Sequence, residues 1–189
     1  MKKIVLNVLV WSVFSLFLLN SCKKHDHDHH HHETELITLI KMTLIAPSVN
    51  DTVVFKYEDA DGDGGNSPVI SKGALKANTT YFGAIEIMNT SVTPNIDITK
   101  QILNEATAHQ FFYIEKSNNQ FDITYDDLDA NGKPLGLKTK WMVKAPGTQS
   151  LKVVLRHEPN KNGANVSNGV INNAGGETDI EVVWNVTVQ

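Results

Sequence analysis

The sequence predicts an all-β fold, and three observations support this prediction. After Leu36 the chain consists of short runs rich in β-branched and aromatic residues, each bounded by Gly, Pro, Asn or Asp. The last two runs alternate apolar and polar residues with the period of two that a half-buried strand requires. The chain has a single cysteine, Cys22, so it has no disulfide to join two sheets. We therefore expect an antiparallel β-sandwich of the immunoglobulin or fibronectin type without its disulfide.

The predicted sandwich has nine strands, one helix and one long loop, and residues 36–189 are expected to form it as one domain. The strands are predicted at 36–45, 52–58, 69–76, 79–88, 110–116, 120–125, 137–144, 150–157 and 178–188. Ile98, Ile102 and Ala106 recur every four residues. They follow Asp97, a suitable N-cap, which predicts a short helix over an open end of the sandwich. Residues 158–177 are rich in Asn and Gly, which predicts a long, exposed and mobile loop.

The start of the chain has the pattern of a bacterial lipoprotein signal peptide, residues 1–21. Two lysines precede an apolar run at 4–19, which is shorter than the ~20 residues that span a bilayer. The sequence Leu-Asn-Ser-Cys at 19–22 resembles a lipobox, so cleavage would leave Cys22 as a diacylated, palmitate-bearing N terminus. We therefore predict a cell-envelope protein anchored by lipid in the outer membrane. The alternative is an ordinary secretory signal in which Cys22 is incidental.

Residues 22–35 are predicted to be the lipidated cysteine and a disordered tether, because 23–35 contain no apolar side chain. This tether holds six of the eight histidines of the chain: His25, His27, His29, His30, His31 and His32. Neutral imidazole is a good ligand for Zn²⁺ and Cu²⁺, so the tether is predicted to bind transition metal. The alternatives are a solubilising spacer and an affinity tag.

The other two histidines, His109 and His157, are candidates for a metal site within the domain. Glu105 lies four residues before His109, so the two would share a face if the predicted helix continued that far. His157 and Glu158 end a predicted strand and could supply further ligands. The plainer alternatives are a histidine favoured by a helix dipole and one that satisfies backbone groups at a strand end.

Two loops share the spacing D-x-D-x-[DN]-G, which resembles the first half of an EF-hand loop. Their oxygen ligands would be Asp59, Asp61 and Asp63 in the first loop, and Asp127, Asp129 and Asn131 in the second. Neither loop is complete, because the twelfth position is Ile70 in one and Lys138 in the other. The two loops are therefore either calcium sites or plain hairpin turns, in which Asp, Asn and Gly are common without a metal.

No motif of the chain predicts catalysis or nucleic-acid binding. The sequence has no G-x-S-x-G elbow, no H-E-x-x-H pair and no phosphate-binding glycine loop. The formal net charge is −4, which is unfavourable for a nucleic-acid partner. We therefore expect a binding protein that is not an enzyme and has no catalytic residues.

Several phrases of the sequence are similar to those of a known group of proteins. They are ETELIT at 33–38, DGDGG at 61–65, HQFFY at 109–113, LRHEP at 155–159 and GGETDI at 175–180. With the histidine-rich leader, they resemble small lipoproteins of Bacteroidetes, some of which are labelled as type 1 periplasmic binding folds. That label implies a two-lobed α/β protein, for which this chain has neither the length nor the alternating helices. The resemblance implies a lipoprotein that captures or hands over metal beside an outer-membrane importer.

Two functions are therefore in competition. The leading one is a lipid-anchored protein that binds Zn²⁺ or Cu²⁺ through its tether and its domain and passes the ion to a transporter. The alternative is a calcium-stabilised surface sandwich that binds a protein or a glycan, with the histidines as a spacer. The two functions differ in which ion binds and in where it binds.

Overall fold

The computed structural model describes residues 36–62, 65–116 and 119–189, and in them the predicted all-β sandwich is confirmed. Two sheets face each other across one core, and one α-helix lies at an end of the sandwich. The predicted signal peptide, Cys22 and the histidine-rich tether lie outside the described residues. Within those ranges, no helix has the length and apolar character needed to cross a membrane.

The described residues form eleven strands, and every predicted strand corresponds to at least one of them. In chain order they are β1 (Leu39–Ala46), β2 (Asp51–Glu58), β3 (Val69–Ser71), β4 (Ala74–Leu75), β5 (Thr79–Asn89), β6 (Ile96–Asp97), β7 (His109–Glu115), β8 (Phe121–Tyr125), β9 (Lys138–Val143), β10 (Gly147–His157) and β11 (Glu177–Val188). The first sheet has the order β3-β2-β1-β5-β9-β8, with β6 beside β5. The second has the order β4-β11-β10-β7, in which only β4 and β11 are parallel.

The core between the sheets follows from the alternation along the strands. Leu151, Val153 and Leu155 of β10 point into it and are almost fully buried. Trp141 and Trp184 are fully buried and come from opposite sheets. Each such side chain stabilises the fold by roughly 1.5–3 kcal/mol through burial alone. A core of this kind explains how the domain can fold without a disulfide.

The predicted strand at 69–76 is divided between the two sheets. Residues 69–71 pair with β2 at the edge of the first sheet, whereas 74–75 pair with β11 in the second. Gly73 lies between the two pieces, and a Cβ there would overlap the side chain of Val53. The chain therefore crosses from one sheet to the other at a point that requires glycine.

The predicted helix is present as α1 (Ile98–Asn104), and Asp97 is its N-cap, accepting a hydrogen bond from the Lys100 amide at 3.3 Å. Ile98 and Ile102 are buried in the core, and Ala106 packs against it. The helix ends at Asn104, and a 3₁₀ turn (Ala106–Ala108) leads into β7. α1 connects the end of β6 to the start of β7, at the end of the sandwich where β10 ends and β11 begins. We call this the helix end.

The prediction of an exposed loop at 158–177 is wrong for the middle of that segment. It contains two 3₁₀ turns (Val166–Asn168 and Ile171–Asn173), and Val166 and Ala174 are fully buried. They pack on Phe112 and Val154, which point away from the core on the outer face of the second sheet. An apolar outer face must be covered from water, and this loop covers it. The few apolar residues of the loop therefore hold it against the second sheet.

Candidate metal centre

His109 and His157 lie side by side at the helix end, although 48 positions separate them in the sequence. His109 is the first residue of β7 and His157 is the last of β10, and their Cα atoms are direct partners in the antiparallel ladder. Side chains of directly opposed residues lie on the same face of a sheet and are close together. The two imidazole rings accordingly stack with centroids 4.6 Å apart and planes inclined by 16°.

Asp179 completes the group because β11 contains a β-bulge. Leu155 is paired with Ile180 and Arg156 with Thr178, so Asp179 is an extra residue with no partner on β10. A bulge of this kind redirects side chains that a regular strand would place on the other face. The Asp179 Oδ2 atom lies 3.7 Å from His109 Nε2, and Oδ1 lies 3.8 Å from His157 Nδ1.

Gly176 allows the chain to enter β11 beside the histidines. Its φ is +69°, a left-handed conformation that favours glycine, and a Cβ would overlap the carbonyl oxygen of His157. The backbone amide of Glu158 bonds to the carbonyl of Ala108 at 2.6 Å, which holds the ends of β7 and β10 together. The site is therefore built on the ends of three adjacent strands.

The three side chains are largely buried: His109 is 7% exposed, His157 17% and Asp179 14%. Burial raises the pKa of Asp179 above its usual range, although the two imidazoles act in the opposite direction. Burial also lowers the pKa of His109, which favours the neutral ring. The distances from Asp179 to both rings exceed those of hydrogen bonds, and Oδ2 is buried with no hydrogen-bond partner among the described residues.

The tautomer of the His109 ring follows from its second contact. Nδ1 lies 3.2 Å from the carbonyl oxygen of Glu105, which can only accept a hydrogen bond. In the neutral ring, Nδ1 therefore carries the proton and Nε2 carries a lone pair that points toward Asp179. Metal-bound histidines are commonly oriented in this way, by donating their other ring N–H to a carbonyl. Glu105 thus serves the site through its backbone.

His109, His157 and Asp179 each offer a ligand atom within 4.8 Å of the other two, and in the described ranges they are the one group of three that does so. In a tetrahedral zinc site, ligand atoms about 2.0–2.1 Å from the ion are roughly 3.3 Å apart. Asp179 lies 3.7 and 3.8 Å from the two ring nitrogens, and all three ligand atoms lie within 4.8 Å of one another. Metal binding therefore requires the side chains to close by several tenths of an ångström and the two stacked rings to tilt toward a common point. Two nitrogens and one oxygen would bind a transition metal and leave one position of a tetrahedron open.

The structure brings together two of the four residues predicted for this site and adds a third. Glu105 and Glu158 are exposed side chains outside the group, and the helix ends before it could place Glu105 and His109 on one face. Asp179 was missed because the alternation of Ile180, Val182 and Trp184 places it on the outer face. The Gly-Gly pair before β11 was the available signal, since glycine near a strand indicates irregular pairing.

The second acidic loop holds no free carboxylate oxygen. Asp127 accepts hydrogen bonds from the backbone amides of Gly136 and Lys138 at 2.7 and 2.9 Å. Asp129 accepts from the amides of Asn131 and Lys133 with Oδ1, at 2.8 and 2.9 Å. Its Oδ2 accepts from the ammonium group of Lys161 at 2.9 Å. These contacts are those of a closed turn. Calcium binding at this loop stays a prediction, and both carboxylates of the turn already accept hydrogen bonds within the protein.

Lys161 supplies a positive charge to the second acidic loop. Its ammonium group donates to Asp129 and to the carbonyl oxygens of Ala106 and Pro134, at 2.7 to 2.9 Å, and the residue is 6% exposed. Burial lowers the pKa of Lys161, whereas Asp129 opposes that effect. Burial would also raise the pKa of Asp129, but hydrogen bonds from Lys161 and two amides outweigh it and hold that pKa below its usual value.

The remaining predicted ligands are only partly described. Asp59 and Asp61 of the first acidic loop are described, whereas Asp63 and the six histidines of the tether lie outside the described residues. Comparison with protein-family models, with curated proteins and with solved structures finds no match. A function for this protein must therefore be inferred from the chemistry of the site.

Proposed function

We propose that this protein is a lipid-anchored envelope protein that binds Zn²⁺ or Cu²⁺ at His109, His157 and Asp179. The observation that carries the proposal is the buried Oδ2 of Asp179, which lies 3.7 Å from a histidine nitrogen and receives no hydrogen bond from any residue that the structure describes. A buried carboxylate without a partner destabilises a fold, and a cation between it and two imidazoles removes that penalty. Imidazole nitrogens favour a transition metal over Ca²⁺ or Mg²⁺.

The open coordination position suits capture and handover rather than permanent storage. Three protein ligands leave room for a water molecule or for a ligand from a partner, through which the ion can be exchanged. The six histidines of the tether would gather metal close to the domain, and a linked ligand cluster raises the effective concentration at its neighbour. Lipidation at Cys22 would keep both beside a membrane transporter that takes up the ion.

The test is calorimetric titration of the mature chain in which the six tether histidines are replaced by asparagine. We expect about one Zn²⁺ per chain, with an affinity that falls as the pH drops below about 6.5 because protons compete for imidazole. Asp179→Asn should weaken binding by at least about tenfold, since loss even of outer groups costs 10–100-fold. Glu158→Gln is the matched control, an exposed carboxylate at the end of the same strand ladder, and should leave the affinity unchanged.

The same titration can contradict the proposal in two ways. Equal affinities for Asp179→Asn and the parent chain would place the metal elsewhere. A loss of binding in Glu158→Gln as well would indicate a larger ligand set that includes the exposed glutamates. With the tether histidines intact, several further and weaker zinc ions per chain are expected.

A further inference from the structure

The first acidic loop, residues 58–69, differs from the second in its ion pairs: among the described residues, which leave out 63 and 64, no lysine pairs with Asp59 or Asp61. In the second loop the ammonium of Lys161 reaches the carboxylate of Asp129. In the first loop Lys56 pairs with Glu58 at 2.6 Å, at the start of the loop, and not with either aspartate. The two loops share a sequence spacing, but in the described part of the chain a lysine pairs with an aspartate in the second loop alone.

Asp59 is the buried member of the first loop. The residue is 8% exposed, and its backbone amide bonds to the carbonyl of Thr38 at 2.8 Å, which fixes it beside the start of β1. Its Oδ1 is buried and has no hydrogen-bond partner in the described part of the chain. Its Oδ2 is 3.5 Å from the Tyr57 hydroxyl, a long contact, and the carboxyl group also interacts with that of Asp61. A carboxylate oxygen buried without a donor or a cation is unfavourable.

Asp61 lines the same open cleft as Asp59, and the two carboxyl groups interact. Its Oδ2 accepts hydrogen bonds from the amide and the side chain of Asn66, at 2.9 and 2.7 Å, which closes the loop and orients the carboxylate. These bonds hold the pKa of Asp61 below its usual value, so it remains ionised. The cleft is also lined by Asn66 and Ser67, whose side chains offer further oxygens, and by Glu58, whose charge is paired with that of Lys56.

We propose that Asp59 and Asp61 bind a hard divalent cation, Ca²⁺, in this cleft. The donors are oxygens without imidazole, which favours Ca²⁺ over the transition metals proposed for the histidine site. Two carboxylates with carbonyls and water as the other ligands make a weak site, in the range of roughly 0.1–1 mM that extracellular calcium modules use. This proposal does not rest on the function of the histidine site.

The position of the cleft gives the ion a structural role. Asp59 is bonded to Thr38, and Leu36 lies against Gly62 of the same loop. Calcium would therefore fasten the loop to the segment through which the chain enters the domain. An envelope protein that meets millimolar calcium outside the cytoplasm would gain stability there by mass action.

The test uses the metal-stripped mature chain and its melting temperature in CaCl₂, MgCl₂ or ZnCl₂, with choline chloride at matched ionic strength. We expect 10 mM Ca²⁺ to raise the melting temperature by about 3–6 °C if the dissociation constant is about 1 mM. Asp59→Asn and Asp61→Asn should each remove most of this rise. Asp122→Asn, an exposed carboxylate paired with Lys144 outside both loops, is the matched control and should keep it.

The calcium-dependent rise is the readout, because Asp59→Asn can change the melting temperature of the metal-free protein by itself. Since Asp61 is an exposed side chain, its variant supplies a folded test if Asp59→Asn does not fold. A rise that persists in both variants, or that disappears in Asp127→Asn but not in Asp61→Asn, would overturn the proposal. So would the absence of both a rise and a calorimetric heat with Ca²⁺.

Discussion

Asp129 and Asp179 are two buried carboxylates in different situations. The side chain of Asp129 is fully buried, yet it accepts hydrogen bonds from two amides and from the ammonium of Lys161. Asp179 is 14% exposed, and within the described ranges its charged neighbours at short distance are two imidazoles at 3.7 and 3.8 Å, while its Oδ2 accepts no hydrogen bond. The pKa of Asp129 is accordingly lowered, whereas burial raises that of Asp179. A carboxylate that the chain supplies with a cation is structural, and one without a cation is a candidate ligand for an ion from outside.

Lys161 shows what an internal cation does for the fold. Its three acceptors belong to the 3₁₀ turn before β7, to the second acidic loop and to the segment before β9. One ammonium group thus joins segments that the sheets do not connect. Metal at the histidine site would differ in this respect, because it would add a cross-link between the ends of three strands that the second sheet already joins.

The largest expected effect is the loss of this internal cation. Lys161→Met should reduce the free energy of unfolding by about 3–5 kcal/mol, because it leaves the buried carboxylate of Asp129 without its counter-charge. Urea denaturation of the mature chain measures the change. Lys152→Met is the matched control, since Lys152 pairs with Glu181 at 2.7 Å while both side chains are over 40% exposed. It should cost no more than about 1 kcal/mol. Equal costs for the two variants would show that burial does not distinguish them.

The second prediction tests the comparison directly, because the same Asp→Asn substitution should change the free energy of unfolding in opposite directions at the two aspartates. Asp129→Asn should lower the free energy of unfolding by about 2–3 kcal/mol, since the charge of Lys161 loses its partner. Asp179→Asn should raise the stability of the metal-free protein by about 1 kcal/mol, because it removes a charge that the site disfavours. Denaturation in the presence of a chelator measures both. Destabilisation by Asp179→Asn of the same size as for Asp129→Asn would contradict the contrast.

The smallest expected effect concerns pH. The difference in stability between each Asp→Asn variant and the parent chain should depend on pH. A carboxyl group with a raised pKa in the fold weakens the fold only above its unfolded pKa, so the advantage of Asp179→Asn should vanish as the pH falls below about 3.8. Asp129 has a lowered pKa and stabilises the fold until the pH falls below that lowered value, so the deficit of Asp129→Asn should persist to more acidic pH. Unfolding of both variants and the parent chain between pH 3 and 7 gives the two curves. If the differences disappear at the same pH, the two pKa shifts do not have opposite signs.

His109 also contributes to the loss of stability of the parent chain at acid pH. His109 has a lowered pKa, so the unfolded chain takes up a proton before the folded one, and stability should begin to fall as the pH drops through 6.5. His157 and Glu177 lie close enough to Asp179 to influence its titration, and they are unchanged in both variants.

The sequence was a good guide to the strands because alternation and turn residues are local signals. His109 and His157 could be chosen from residue type alone, but their pairing depends on the ladder between β7 and β10. Asp179 could not be chosen, because a single-residue bulge reverses the face that alternation assigns to it. Lys161 could not be chosen either, since its partners lie 27 to 55 residues away and a lysine in a loop rich in Asn and Gly is typical of an exposed surface.

The bulge at Asp179 has a consequence for how such a site can arise or be lost. Its whole effect on the strand is one additional residue, after which the pairing of β10 and β11 resumes and the core positions keep their places. Insertion of one codon next to a cross-strand histidine pair is therefore enough to place a carboxylate beside two imidazoles while the core pairing of the sandwich is kept. Deletion of that codon would return the ladder to a regular pairing and remove the carboxylate from the histidines.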